Sequence, residues 1–221
     1  MRDPEYRQQQ WDDRWAPHVA PINALVDELK ASSGQAGVPY VAPIYGGVDA
    51  RVLFIARDPG PKTQDDQGGS GFLSLENDDA SAERFATLLD EAGIPVRETL
   101  PWNAYPWFIN RKPRAAELED GVEPLARLLG LLPRLRMVVL LGGSAQDGWQ
   151  RLGRRHPALL TGLEVARTHH TSSQAFIGPP DLRAERMASL KEAFAHTAGI
   201  LREPEIVRIA GLISRRNEIS G

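Results

Sequence analysis

Three residues of different chemistry each follow or end a short apolar stretch: Asp58, Asn103 and His170. The first sits in Arg51-Val-Leu-Phe-Ile-Ala-Arg-Asp-Pro-Gly-Pro61. Val52 to Ala56 is too short for a typical helix and rich in β-formers, which predicts a buried parallel strand. Asp58-Pro59-Gly60-Pro61 stops it, because proline cannot continue a ladder and glycine permits backbone conformations that other residues resist. A carboxylate is thereby delivered to a rigid loop at a strand's carboxyl end, where open α/β sheets bind ligands. The competing reading is an ordinary β-turn, in which Asp-Pro-Gly is common. Asn103, in Leu100-Pro-Trp-Asn-Ala-Tyr-Pro-Trp107, adds a carboxamide with one donor and one acceptor group. His170 adds an imidazole where the stretch Leu163 to Thr168 ends. Three such groups on one sheet edge are more specific than any one motif.

The elements that must position them alternate along the chain. Val19, Ile22, Leu25, Val26 and Leu29 recur at helical spacing, so a helix is expected over 18–30, and Ser32 to Gly37 ends it. Val38 to Gly47 reads as an irregular connection into the first strand. A polar loop from Lys62 closes at Gly68-Gly-Ser-Gly71 and lacks phosphate-loop spacing. Asn77-Asp78-Asp79 resembles a helix start, with Phe85, Leu88, Leu89 and Ala92 as the apolar face. Further strands are expected over 96–102, 136–143 and 163–168, and helices over 114–130, 144–152, 180–196 and 204–213. Strands alternating with helices predict an α/β protein: a three-layer α/β/α fold around a central four-stranded parallel sheet. The expected organisation is one domain over 1–221, with a loose N-terminal arm at 1–17, pinned by Trp11 and Trp15, and a C-terminal helical extension at 199–221.

The composition bounds the function. A chain of 221 residues suits one α/β domain with a substantial core. Without cysteine there is no disulfide, no thiol catalysis and no cysteine-ligated iron–sulfur cluster, and no metal or other cofactor is expected. A net charge of −3 does not advertise nucleic-acid binding, which would need a local basic patch. No apolar run is long enough to span a bilayer, and the polar start Met1-Arg-Asp-Pro-Glu-Tyr-Arg-Gln8 is no signal peptide. A cytoplasmic monomer without a membrane partner is expected.

The motifs together resemble the uracil-DNA glycosylase superfamily. Ala56-Arg-Asp-Pro-Gly60 is similar to its first motif, Gly-Gln-Asp-Pro-Tyr-His in the best-known branch and Gly-x-Asn-Pro-Gly in others. His170-Thr-Ser-Ser173 is similar to the second, His-Pro-Ser-Pro. Trp102-Asn-Ala-Tyr105 falls where the family keeps a base-reading asparagine, and Val138-Val-Leu-Leu-Gly-Gly-Ser-Ala145 resembles its third strand and glycine turn. Order and spacing agree over about residues 50–195.

The resemblance implies the fold of that superfamily and a set of roles. Asp58 would hold the attacking water or stabilise the cationic sugar. Phe72 would stack on the flipped base, Asn103 would read its edge, His170 would donate to uracil O2, and Ser172 would contact a phosphate. The chemistry is consistent, since breaking an N-glycosidic bond builds positive charge on the sugar and negative charge on the base. A base must first be flipped from the duplex and then held by stacking and edge contacts. Departures from the pattern concern substrate choice. Gly60 replaces the tyrosine that shields the best-known branch against thymine, with Phe72 or Tyr105 as the nearest substitute walls. Thr171 replaces a proline, Ala56-Arg57 replaces Gly-Gln, and Gln174 stands where that branch has its leucine wedge. Base extrusion then falls to Gln174, Phe176 or another residue.

Bland readings accompany these. Phe72 is core as often as platform. Arg111, Lys112 and Arg114 form either a solvated loop or the phosphate clamp that an acidic protein needs, with Ser173 and Gln174 as further nucleic-acid-binding candidates. His169 reads as structural, the Arg151 to His156 cluster as a solvated helix end, and Glu76, Asn77 and Asp78 as a helix start. The leading expectation is a monofunctional DNA glycosylase that removes uracil or a related damaged base from DNA by metal-free hydrolysis. The alternatives are a member acting on hypoxanthine, a 5-substituted uracil or a free nucleoside, and a nucleic-acid-binding module without catalysis.

Overall fold

The computed structural model describes residues 1, 3–33 and 37–203. In chain order the elements are α1 (Pro4–Asp12), α2 (Ala20–Ser33), β1 (Tyr40–Val41), β2 (Val52–Ala56), β3 (Phe72–Leu73), α3 (Ala80–Ala92), β4 (Thr99–Asn103), α4 (Ala115–Asp120), α5 (Val122–Gly130), β5 (Met137–Leu141), α6 (Gly143–Arg155), β6 (Glu164–Thr168) and α7 (Pro180–Arg202). The main sheet has four strands in the order β4-β2-β5-β6, all parallel. Every residue of β5 is buried, as a central parallel strand covered on both faces requires. Helices α3 and α7 pack together, with α7 on β5 and β6, while α6 packs on β5 beside α4 and α5. The expected α/β architecture is the one observed.

The strand order locates the site. From β2 the chain moves to β4 on one side and then crosses to β5 on the other. Such a reversal leaves a crevice at the carboxyl ends of the two central strands, where the loops part in opposite directions. Register puts Ala56 opposite Asn103 across β2 and β4. Asp58, Asn103, Gly142 and His170 therefore follow or end four adjacent strands on one edge.

Several expectations are revised. The described residues among 1–17 are not a loose arm. Asp3 caps α1 by accepting from the amides of Glu5 and Tyr6, Tyr6 donates to Glu76 at 2.6 Å, and the Trp11 ring packs on Phe72 with centroids 5.0 Å apart. Trp15 is 42 % exposed, so Trp11 is the stronger pin. The connection 38–47 contains β1, which pairs in parallel with β3 and is tied to α2 by buried Asn23, whose Oδ1 accepts from Val41 N at 2.9 Å. The helix expected over 114–130 is two, broken at Gly121, where a Cβ would lie 1.9 Å from the Ala104 carbonyl oxygen. The strand expected over 96–102 begins only at Thr99, after a 3-10 turn over Val96–Glu98. The helix expected over 204–213 lies outside the described residues, and α7 already reaches Arg202.

The core beneath the site is aromatic. Phe54 on β2 meets Phe85 edge-on with centroids 4.9 Å apart and Phe194 at 5.1 Å, which joins β2, α3 and α7. Phe194 is fully buried. Replacing it by alanine is expected to destabilise the fold by about 3–5 kcal/mol, lowering Tm by roughly 10 °C in a domain of this size. Thermal denaturation checks this, and an unchanged Tm would remove the aromatic joint from the account.

Candidate active site

A cavity of about 640 Å3 opens at the carboxyl edge of the sheet. Asp58, Asn103 and His170 all line it, from the ends of β2, β4 and β6. The Asp58 side chain is 1 % exposed, and its Oδ1 accepts from Nε of Arg57. Burial pushes its carboxyl above the ordinary carboxylate range. The Arg57 guanidinium opposes that shift, as do the backbone amides of Asn110 and Ile109, yet burial wins. Asn110 is held at φ 50°, a left-handed conformation that asparagine tolerates better than most residues.

His170 is oriented by the turn that follows it. Its Nδ1 accepts the backbone N–H of Ser172 at 2.9 Å. An amide nitrogen can only donate, so Nδ1 carries no proton and a neutral ring has its proton on Nε2. Burial, together with the nearby charge of Arg57, lowers the ring's pKa to about 4. Gly142, at φ 89°, allows this packing, since a Cβ there would sit 3.3 Å from the His170 Cβ. The turn itself is stapled by Arg84, which donates to the Thr171 carbonyl oxygen and lies over the Phe176 ring at 4.4 Å.

The remaining sequence candidates separate into groups. Gly60, Ser172, Ser173 and Gln174 line the cavity. Ser172 is half-buried, whereas Gly60, Ser173 and Gln174 are exposed, so they lie toward the mouth. Gly60 has φ −82°, and a Cβ there would meet nothing within 4 Å. Phe72 does not line the cavity: it is fully buried, with its ring against Trp11 and Tyr40. Successive side chains of a strand point to opposite faces, so Leu73 lines the cavity in its place, followed by Ser74 and Leu75. Tyr105, the other substitute wall, packs on Trp107 and is likewise outside the cavity lining.

Arg111, Lys112 and Arg114 are also outside it. Both arginines are held by Glu117: Arg111 donates to its two oxygens, one at 2.8 Å, and Arg114 donates to it at 3.0 Å. These bonds keep the Glu117 carboxyl well below its ordinary range. One carboxylate therefore offsets part of the basic loop's charge, and exposed Lys112 forms no ion pair among the described residues.

The Uracil DNA glycosylase superfamily profile matches residues 43–203, a span that contains every residue lining the cavity. The chain belongs to the uracil-DNA glycosylase superfamily. No curated protein sequence matches it. Membership supports a DNA glycosylase-type enzyme that binds DNA. Among the described residues no helix is long and apolar enough to cross a membrane, and no group of three His, Asp or Glu side chains is placed to hold a metal ion.

The sequence marked Arg57 only as a departure from the family motif and gave no role to the backbone amides of Ile109 and Asn110 near Asp58. Arg57 stood in plain view, since a cation beside a carboxylate at a strand end is a local signal. The two amides come near Asp58 only through the fold, and no sequence signal marks them; the buried Asp58 Oδ2 has no hydrogen-bond partner among the described residues. Ile177 is 72 % exposed, two residues beyond the cavity-lining Ala175.

The neutral His170 has a consequence for stability. Its pKa falls from 6.5 in the unfolded chain to about 4 in the fold, so its contribution is complete above pH 6.5 and is lost as pH drops toward 4. His170→Gln is expected to show a shallower fall in Tm than wild type across that window, measured by thermal melts in a pH series. Parallel curves would place the ring in contact with solvent.

Proposed function

We propose that this superfamily member hydrolyses the N-glycosidic bond of uracil, and of uracils substituted at C5, in DNA. The observation that carries the reading is the convergence of a buried carboxylate, a carboxamide and a neutral imidazole on one cavity in a chain of this family. Asp58, when ionised, orients the attacking water and offsets the positive charge that develops on the sugar. His170, with its proton on Nε2, donates to the carbonyl oxygen at C2 as negative charge builds on the base. Asn103 forms no side-chain hydrogen bond among the described residues, so its amide is available to the N3–H and O4 edge of uracil.

Duplex DNA has to surrender the base first. Ser172, Ser173 and Gln174 at the mouth suit phosphate contacts, and Lys112 adds a cation on the neighbouring loop. Arg111 and Arg114 contribute less, because Glu117 already engages them. Phe176 lies under Arg84, whereas Ile177 presents an apolar side chain of the kind that occupies the gap left by an extruded base.

Substrate breadth follows from the wall at Gly60. Rejecting a methyl group requires something in its space, since a hydrophobic pocket distinguishes one methylene by only about 1–3 kcal/mol. Open space beside Gly60, with Phe72 and Tyr105 both turned elsewhere, favours acceptance of a C5 substituent. Because the backbone at Gly60 is compatible with any side chain, Gly60→Tyr tests this directly. The assay uses single- and double-stranded oligonucleotides carrying U, 5-hydroxymethyluracil, T, hypoxanthine or xanthine, followed by alkaline cleavage of abasic sites. Wild type is expected to cut at uracil and 5-hydroxymethyluracil, and Gly60→Tyr to lose at least about tenfold more on the latter. Cleavage of uracil alone by wild type would put the excluding group elsewhere. Cleavage of hypoxanthine alone would assign another base, and no cleavage at all would leave a binding module.

A further inference from the structure

Arg57 has no part in the chemistry above, yet it lines the same cavity. Its backbone carbonyl accepts the Tyr105 N–H at 3.1 Å, which fixes it against the segment that carries Asn103. Its Nε holds Asp58, its side chain is 32 % exposed, and its terminal nitrogens bond nothing among the described residues. A guanidinium has five N–H donors in a fixed fork, so four of them have only the cavity and solvent to serve. The other permanent cation at the cavity, Lys62, is exposed on the outer turn.

The departing base needs charge compensation that His170 does not give. A neutral imidazole offers a hydrogen bond but no positive charge. Arg57 and His170 line the same cavity, and the charge of Arg57 helps hold the ring below its ordinary range. We infer that Arg57 supplies the positive charge that stabilises the base as it leaves as an anion. This rests on the glycosylase reading of the site. The C1′–N1 bond breaks with its electron pair remaining on N1. Water adds its oxygen to C1′ and gives one proton to Asp58, and N1 afterwards takes a proton from Asp58, so the sugar gains a hydroxyl and the base departs neutral. A cation at Arg57 opposes the positive sugar and favours the negative base. Its benefit therefore grows with the charge that the leaving base must carry.

That dependence separates the inference from a role confined to positioning Asp58. Fluorine at C5 withdraws electrons and makes the base a better anion. Single-turnover cleavage of oligonucleotides carrying uracil or 5-fluorouracil is measured for wild type, Arg57→Gln and Arg57→Lys. Arg57→Gln is expected to lose roughly 100-fold on uracil and about tenfold less than that on 5-fluorouracil, with Arg57→Lys between it and wild type. The decisive quantity is the rate ratio of the two bases. An unchanged ratio in Arg57→Gln overturns the inference whatever the absolute loss, because a displaced Asp58 slows both bases alike. Wild-type rates in Arg57→Gln overturn it too. Where Arg57→Gln is too slow to follow, the ratio in Arg57→Lys decides. Wild type inert toward both bases contradicts the glycosylase reading itself.

Discussion

A carboxylate that is 1 % exposed at the end of a central strand is the constraint that organises this molecule. Removing an ionised group from water costs several kcal/mol unless other groups compensate it. Here the compensation comes from three directions: the adjacent Arg57 guanidinium, the amides of Ile109 and Asn110, and the open cavity in front. The Ile109 and Asn110 amides bring the loop after β4 to the end of β2. Arg57 is anchored to Tyr105 through its carbonyl, and Asn110 adopts a left-handed conformation next to the Arg111–Glu117 pair. The loop after β4 is thus shaped around Asp58 as much as around its own sequence.

Burial nevertheless outweighs its opponents at Asp58, whose pKa stays above the ordinary range, and at His170, whose pKa stays below it. The two shifts have the same cause and opposite sign, because a low-dielectric site disfavours the charged form of an acid and of a base alike. The fold therefore sets an acid that gains by meeting positive charge beside an imidazole that donates without being charged. Bond cleavage that separates a cationic sugar from an anionic base suits such a pair, since each side finds stabilisation only as charge develops.

The outline of the fold was legible because its signals are local. Val52 to Ala56 and Met137 to Leu141 are unbroken apolar runs, and α2 buries the stripe Ile22, Leu25, Val26 and Leu29 that its spacing announces. Parallel connections and strand order then fix which loops share an edge. What escaped was set by contacts distant in sequence. Phe72 faces the core because Trp11 and Tyr40 meet it there, and a one-residue alternation hands the cavity to Leu73. The helix break at Gly121 reflects the approach of the Ala104 carbonyl. The partnership of Arg111 and Arg114 with Glu117 appears in no charge count, since three and six residues of separation acquire meaning only once the loop turns into α4.

The most direct test of the account compares single-turnover release of free base from a uracil-containing oligonucleotide by wild type, Asp58→Asn and His170→Ala, with DNA affinity measured alongside. The account predicts that each variant slows release by roughly two orders of magnitude or more while affinity changes far less, because phosphate contacts dominate binding. Rates within a few-fold of wild type for both variants would contradict it.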